Sequence, residues 1–428
     1  MTLSFLILIA ALPQLLFSTR SSAETFHYRN MIPGERAAGM GGAFSAISDD
    51  PSGVLHNPAG LVYGQGDYLS LSVNAYQFGS INYQNVFSDQ DYSLSTSALV
   101  PVFFGFTQQL GPGKLGFGVF VTEMQIFDQN DRVDQISSNT NELFAINRQL
   151  SKENIQYLAG PSYSLMVSQS LSVGLTLFGG FGKEKVLDMQ TAEFAPEGIG
   201  KYLIQNTYYK KQNFTVQPKL GVIFSPASSL SLSATVSKGF YITGSGEYRV
   251  LTTKGDDSGT PTPPAPNGEL NHDYLITSST NLYSQPILPF EFTLGIAYFV
   301  DESLLLAADS FFYTSDSDYL GPDQPQLTWN ASLGAELYLT ERLPIRAGIF
   351  TNRTNQRSLQ TGRSDQYTHV DLYGFTFGFS LKSDGSALGL TIIHSKGTGE
   401  GQILGGSTSI QGVQQDLTSV LFSGTYEM

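Results

Sequence analysis

The side chains that usually carry chemistry are present in this chain, but not at the spacings chemistry needs. Five histidines, His27, His56, His272, His369 and His394, are scattered along the sequence. No two adopt the H-E-x-x-H spacing that sets a pair of imidazoles around zinc. Cysteine is absent, which removes thiolate metal sites, cysteine nucleophiles and disulfide frameworks together. Residues 111–116, GPGKLG, spell the nucleotide pattern G-x-G-x-x-G, but they join two alternating runs, and no helix follows to receive a phosphate. Serine is abundant, yet no nucleophile motif frames one. Asp128, Asn130 and Asp134 have oxygens suited to calcium, but the central glycine of a calcium loop is missing. The expectation is a protein that is not an enzyme and holds no cofactor or metal.

One segment differs in kind from the rest. Residues 37–61, AAGMGGAFSAISDDPSGVLHNPAGL, are rich in small residues, with Gly41 and Gly42, paired acids at Asp49 and Asp50, and the triplet Asn57, Pro58, Ala59 at the end. The segment follows an apolar stretch at 3–17, LSFLILIAALPQLLF. That stretch is too short to span a bilayer comfortably, and Ser21-Ser22-Ala23 places small residues where a signal peptidase reads. Residues 1–23 are therefore predicted to be a leader cleaved after Ala23, although its start lacks the usual positive charge. Further along, no window approaches the roughly 18 apolar residues of a transmembrane helix.

From Asp67 onward the apolar signal has period 2, which sends alternate side chains to opposite faces of a sheet. Leu69, Leu71, Val73 and Ala75 alternate with Ser70, Ser72, Asn74 and Tyr76. The pattern returns often enough to give fourteen strands, an even number as a closed antiparallel barrel requires. The connections alternate too. Tight ones, such as Asp301-Glu302 and Ser383-Asp384-Gly385-Ser386, intervene between longer ones at about 79–92, 127–153, 184–212, 247–285, 316–325, 353–365 and 397–413. This is the order of an outer-membrane barrel with short periplasmic turns and both termini in the periplasm.

Charge decides which face is which. Lys219, Glu291, Asp309, Glu336 and Arg346 share parity with the polar residues of their strands. A Lys or Arg on the lipid face near the midplane costs about 2–4 kcal/mol, so these charges are expected to face a polar lumen. Lys238 breaks the parity and is expected to snorkel to the interface. Pro161 and Pro218 interrupt alternating runs and are expected to mark bulges. Tyr241, Tyr298, Phe311, Phe312, Tyr313, Trp329, Tyr373 and Tyr426 are candidates for interfacial girdles. Only 14% of the chain is charged, against about 25% in soluble proteins. The net charge of -14 and the lack of a basic run argue against a nucleic-acid partner.

Three longer connections carry further signals. TPTPPAPNG, at 260–268, reads as a stiffened loop tip. NELFAINRQL, at 141–150, fits a short amphipathic helix that clusters Leu143, Phe144, Ile146 and Leu150. Val186, Leu187, Met189, Phe194, Ile199, Tyr202, Leu203 and Ile204 make a second apolar loop segment. Such groups either pack on one another or form a surface that collects an apolar solute.

The segment GGAFSAISDDPSGVLHNPAGL, the strand count, and phrases such as PFEFTLGIAYFVDESLLLAADSFFY and ASLGAELYLTERLPIRAGIF resemble the FadL/TodX family of outer-membrane transporters for hydrophobic compounds. The resemblance covers most of the chain after the leader. It implies that residues 24–66 are a hatch inside a barrel formed by 67–428, with Asn57, Pro58 and Ala59 as its hallmark. It further implies that solute leaves sideways through a gap in the wall, with the third strand as the candidate. Long-chain fatty acids or aromatic hydrocarbons would move passively from the collecting loops to a luminal site. There Lys219 or Arg346 would pair a carboxylate, unless those cations instead neutralise Glu291, Asp309 or Glu336. The implied surroundings are outer-membrane lipid or lipopolysaccharide, with the chain acting as a monomer. A barrel partner in protein secretion and a general porin are the alternatives.

Overall fold

In a computed structural model the described residues are 27–87, 90–134, 143–194, 201–255, 273–279, 288–315, 325–364, 366–403 and 407–428. The leader predicted over 1–23, the Pro-rich tip and His272 lie outside them. Alternation builds sixteen strand segments. The first eight are β1 (Tyr68–Phe87), β2 (Gln90–Leu110), β3 (Gly113–Val133), β4 (Leu143–Ser168), β5 (Leu171–Phe194), β6 (Lys201–Ala227), β7 (Leu230–Lys238) and β8 (Phe240–Gly255). The second eight are β9 (Asp273–Ser279), β10 (Phe290–Phe299), β11 (Leu304–Tyr313), β12 (Thr328–Thr340), β13 (Leu343–Asn352), β14 (His369–Ser383), β15 (Ser386–Gly401) and β16 (Gln411–Glu427).

β6 pairs with β7 and β8 end to end, and the same two pair with β10 and β9. Each of those couples is one stave, so sixteen segments make fourteen staves. β1 pairs with β16, and the antiparallel sheet closes on itself. Closure removes the two free edges that an open sheet would have, which is what allows a sheet to stand in lipid.

The outer face carries Leu220, Val222, Phe224, Leu294, Ile296, Leu333, Phe375, Phe377 and Ile392, all exposed. Lys219, Asp309, Glu336 and Arg346 are buried on the inside. Phe311 and Tyr313, expected in a girdle, also point inward and are buried. They follow the parity of Asp309, and β11 thus lends the lumen two aromatic rings. Tyr298, Trp329, Tyr373 and Tyr426 are exposed. Lys238 stands at the end of β7, where its Nζ donates to the Leu288 carbonyl at 2.6 Å and lies 4.9 Å from the centre of the Phe290 ring.

Three further expectations are corrected. Of the stretch 141–150 expected to be helical, the described residues from Leu143 are instead the start of β4, paired with β5 from Leu143 and with β3 from Ile146. Ile146, Arg148 and Leu150 alternate inward as well as cluster helically, and two long ladders outweigh a local helical preference. The long connections shrink for the same reason: β1 runs to Phe87 and β2 resumes at Gln90, so most of 79–92 is strand. Neither proline shifts the register. Pro161 sits opposite Phe117 and Pro218 opposite Leu177, whereas the bulges fall elsewhere, one between Val121 and Glu123 on β3.

Stave heights are uneven. β10, β11 and β13 have 10 residues, close to the 9–11 or so that cross a bilayer. β4 has 26 and β6 has 27. The extensions stand at the end opposite the tight turns and enclose their own core of Tyr83, Phe87, Phe127, Ile146, Leu150, Leu203, Leu372 and Ile403.

The interior of the lower barrel is filled by the chain's own beginning. Residues 31–61 are mostly buried and contribute Met40, Phe44, Val54 and Leu61 to the principal core, together with Phe103, Phe120, Phe178 and Phe350 of the wall. The segment holds two short helices, α1 (Glu35–Gly39) and α2 (Gly53–His56), then a 3-10 turn, Pro58–Tyr63. Wall glycines let its backbone come close: a Cβ on Gly348 would lie 2.3 Å from the Met40 carbonyl carbon. Gly348→Leu is expected to weaken the seating of this segment by about 1–3 kcal/mol while the barrel still forms. The check is trypsin cleavage at Arg29 and Arg36 set beside the heat-dependent gel shift of the barrel.

Candidate functional site

The N-terminal segment is tied to the wall through groups whose types suit a buried polar interface. The Asn57 Nδ2 donates to the Ser45 carbonyl at 2.8 Å and to Val222 O of β6 at 3.3 Å, while its Oδ1 accepts from Ala59 N. Asn57 therefore caps the 3-10 turn, with Pro58 in the first helical position where its missing N–H costs nothing. The Ala59 carbonyl accepts from Ser164 and Ser172 of the wall. Gly41 and Gly42 take φ of 65° and 83°, a turn that other residues enter only with strain. These residues are structural anchors that hold the segment's path.

Charge strengthens the tie. Arg36 of α1 forks onto Glu336 of β12 and also reaches Asp49 at 2.6 Å. Arg346 of β13 pairs with the same Glu336 at 2.5 Å and with Glu35 of α1. Arg346 is thus committed to a five-membered chain of alternating charge, Glu35, Arg346, Glu336, Arg36 and Asp49, which the sequence allowed as its second role. Asp309 accepts from Phe44 N and Ser45 N at 3.0 and 2.9 Å, and from the Ser45 hydroxyl. Lys219 meets Glu291 at 3.4 Å and lines open space.

That space is a cavity of about 290 Å³ between the N-terminal segment and the wall. Its lining includes Tyr28, Leu55, His56, Phe178, Phe311 and Tyr313, with Arg29, Glu123, Lys219 and Asp309 among the charged groups. Tyr28 stacks on Tyr313 with ring centres 4.2 Å apart. Arg29 lies 3.3 Å above the Phe311 ring. Among the described residues no group of His, Asp and Glu is arranged to hold a metal. His56 donates to the Pro33 carbonyl and is held neutral by burial, its pKa pushed down to about 3.

The residues expected to collect solute divide. Ile146 and Leu203 are buried in the upper core and Leu187 and Phe144 are half-buried; the side chains of Leu143 and Phe194 lie outside the description. Mutual packing therefore accounts for Ile146 and Leu203.

A further feature had no clear signal in the sequence. β2 and β3 pair only from Phe103↔Phe120 down to Leu110↔Gly113, although both strands continue upward. Higher up, side chains replace the ladder: Thr96 bonds Ile126 O, Ser95 N bonds Gln129, and Tyr92 bonds Asp131. Between the two lies a window about five residues tall, floored by the stacked rings of Phe103 and Phe120, 4.9 Å apart. The cavity reaches its β3 edge at Thr122 and Glu123. The bulge at Val121/Glu123 sits at the same height, and only long-range pairing reveals it.

Solved structures share this architecture. A Pseudomonas aeruginosa FadL homologue matches with a TM-score of 0.60 at 13% identity, over 95% of this chain and 99% of its own. The Pseudomonas putida toluene transporter TodX matches at 0.63 and 16%, over 94% and 100%. The Ralstonia pickettii toluene transporter TbuX matches at 0.59 and 13%, over 92% and 98%. The chain has the FadL/TodX fold. No family model matches the sequence, and no curated protein does. At these identities the FadL/TodX likeness is one of backbone, and the residues of the window and cavity stand on their own geometry.

Two outcomes follow. Glu336→Gln removes the charge shared by two guanidinium groups, each of which keeps one other carboxylate, a loss of about 1–3 kcal/mol; the expected result is an N-terminal segment that exchanges amide hydrogens faster within a barrel that still closes, measured by exchange mass spectrometry. The second concerns Asp50, whose carboxyl accepts from Ser52 N and Oγ. Burial, aided by neighbouring Asp49, pushes it up to about 6 from 3.8. A raised carboxyl pKa means that the packed state binds the proton more tightly than the released state. Packing is therefore expected to strengthen as pH falls from 7 through 6 toward 4, and Asp50→Asn is expected to flatten that part of the exchange profile.

Proposed function

We propose that this protein is an outer-membrane channel that moves small hydrophobic compounds across the bilayer by passive diffusion. The observation that carries the reading is a closed, lipid-compatible barrel whose lumen is plugged by its own N-terminal segment and whose wall has an unpaired window beside a luminal cavity. The apolar outer face is too extensive for a soluble monomer. The printed descriptions of neighbours as toluene transporters and as a FadL homologue favour the same reading.

Residues 24–66 act as a hatch in this proposal, and both termini face the periplasm, because the tight turns gather at the end where Tyr68 and Glu427 pair. Solute enters from the extended staves, occupies the cavity among Tyr28, Phe178 and Phe311, and leaves between β2 and β3 into the membrane. A sideways exit keeps an apolar solute out of water, which an axial channel would not. No energy source is needed, since partition into lipid is downhill. Lys219 is the luminal cation left for a carboxylate head, in competition with Glu291. The barrel acts as a monomer surrounded by outer-membrane lipid and lipopolysaccharide.

The test is uptake of radiolabelled toluene and of laurate into proteoliposomes. Ala98→Trp, at the β2 edge of the window, is expected to cut uptake at least tenfold in a folded barrel; undiminished uptake would remove the lateral route. Steady, large ion conductance from the intact protein in planar bilayers would overturn the plugged-channel reading in favour of a porin.

A further inference from the structure

Glu123 stands where three features meet. It is the first paired residue above the β3 bulge, it lines the cavity, and it lies just above the last β2–β3 pair, Phe103↔Phe120. It is also 1% exposed. Its Oε2 accepts from Asn30 Nδ2 of the N-terminal segment, and Asn30 in turn accepts from Asn352 of β13 at 3.1 Å. Its Oε1 makes no hydrogen bond of ordinary geometry among the described residues, with Gln125, two positions along β3, as the nearby polar group that acts on the carboxyl.

A buried acceptor left empty is unfavourable, and a carboxylate offers only acceptor sites. Neighbouring cations do not fill the place. Lys219 is held by Glu291 and Lys183 by Glu153, and Lys152 acts on Glu123 through charge without a hydrogen bond to Oε1. The rest of the cavity supplies ring surfaces, with Tyr28 stacked on Tyr313 and with Phe178 and Phe311 beside them. A group that donates a hydrogen bond and carries a ring would satisfy both.

We propose that Glu123 makes the luminal cavity selective for aromatic compounds bearing a hydrogen-bond donor, of which a phenolic hydroxyl is the simplest. This rests on the channel reading above and adds the class of solute. A phenol whose ring lies among Tyr28, Phe178 and Phe311 presents its hydroxyl to Oε1, and the other carboxylate oxygen keeps its bond to Asn30. The bound head thereby touches the group that links the N-terminal segment to the edge of the window. Glu123 is a specificity-determining residue here, and a plain hydrocarbon leaves its Oε1 unfilled.

The experiment compares three probes of one shape, 4-ethylphenol, ethylbenzene and 4-ethylbenzoate, by equilibrium binding to the full-length barrel in nanodiscs, with empty nanodiscs subtracted. The expected result is 4-ethylphenol bound at least tenfold more tightly than ethylbenzene, in keeping with a charge-assisted hydrogen bond. Glu123→Leu is expected to bring the two within about twofold, and Glu123→Gln, which keeps the shape, to fall between. Equal binding of phenol and hydrocarbon by the unaltered protein would overturn the proposal and leave the channel reading intact. Preference for 4-ethylbenzoate would overturn it in favour of a cation at Lys219. Binding of none of the three, together with no uptake of toluene or laurate, would overturn both. If Glu123→Leu does not fold, a phenol preference in Glu123→Gln equal to that of the unaltered protein is the result that removes Glu123 from the role.

Discussion

A closed barrel of fourteen staves encloses more space than its own inward side chains can fill, and the rest of this structure depends on how that space is occupied. The wall's inward positions carry Asp309, Glu336 and Arg346, and a water-filled lumen would have left them to solvent. Instead the N-terminal segment brings Glu35, Arg36 and backbone N–H groups to meet them. Filling the lumen and neutralising its charges are one event. Glu336 is the link shared by both guanidinium groups, and Asp49 and Glu35 give Arg36 and Arg346 a second carboxylate each.

The same solution explains the wall's small residues. Backbone lies against Gly334 and Gly348, where Met40 passes, and against Gly174, where Pro58 passes, while the Asn57 side chain fills the place against Gly221. Polar backbone needs partners inside a barrel as much as in lipid. Serine and threonine hydroxyls at inward positions supply them: Ser164 and Ser172 to Ala59, Thr176 to Val54, Thr376 to Gly39. The small and hydroxylated residues along the inner face are where the N-terminal segment packs.

Against this dense lower half, the region around β3 is deliberately incomplete. Pairing with β2 ends at Phe103 and Phe120, the bulge follows at once, and a cavity opens on the inner side. Ladder hydrogen bonds make most of the wall rigid, whereas the few side-chain bonds above the window are individually weaker and separable. The solute contact proposed at Glu123 lies beside those separable bonds.

The sequence by itself determined the barrel, because a period of 2 sustained over many strands fixes which side chains share a face, and charge parity then fixes which face is wet. It also singled out Asn57, Pro58 and Ala59, whose types serve local capping. Only the tertiary structure decided the rest. The stretch at 141–150 satisfies both helical and strand periods, and the ladders with β3 and β5 chose between them. Phe311 and Tyr313 read as membrane aromatics until the register of β11 turned them inward. Arg346 and Lys219 were alike as inward cations, but α1 reaches the first and leaves the second facing the cavity. The window left no mark in composition, since it consists of hydrogen bonds that two distant strands do not make.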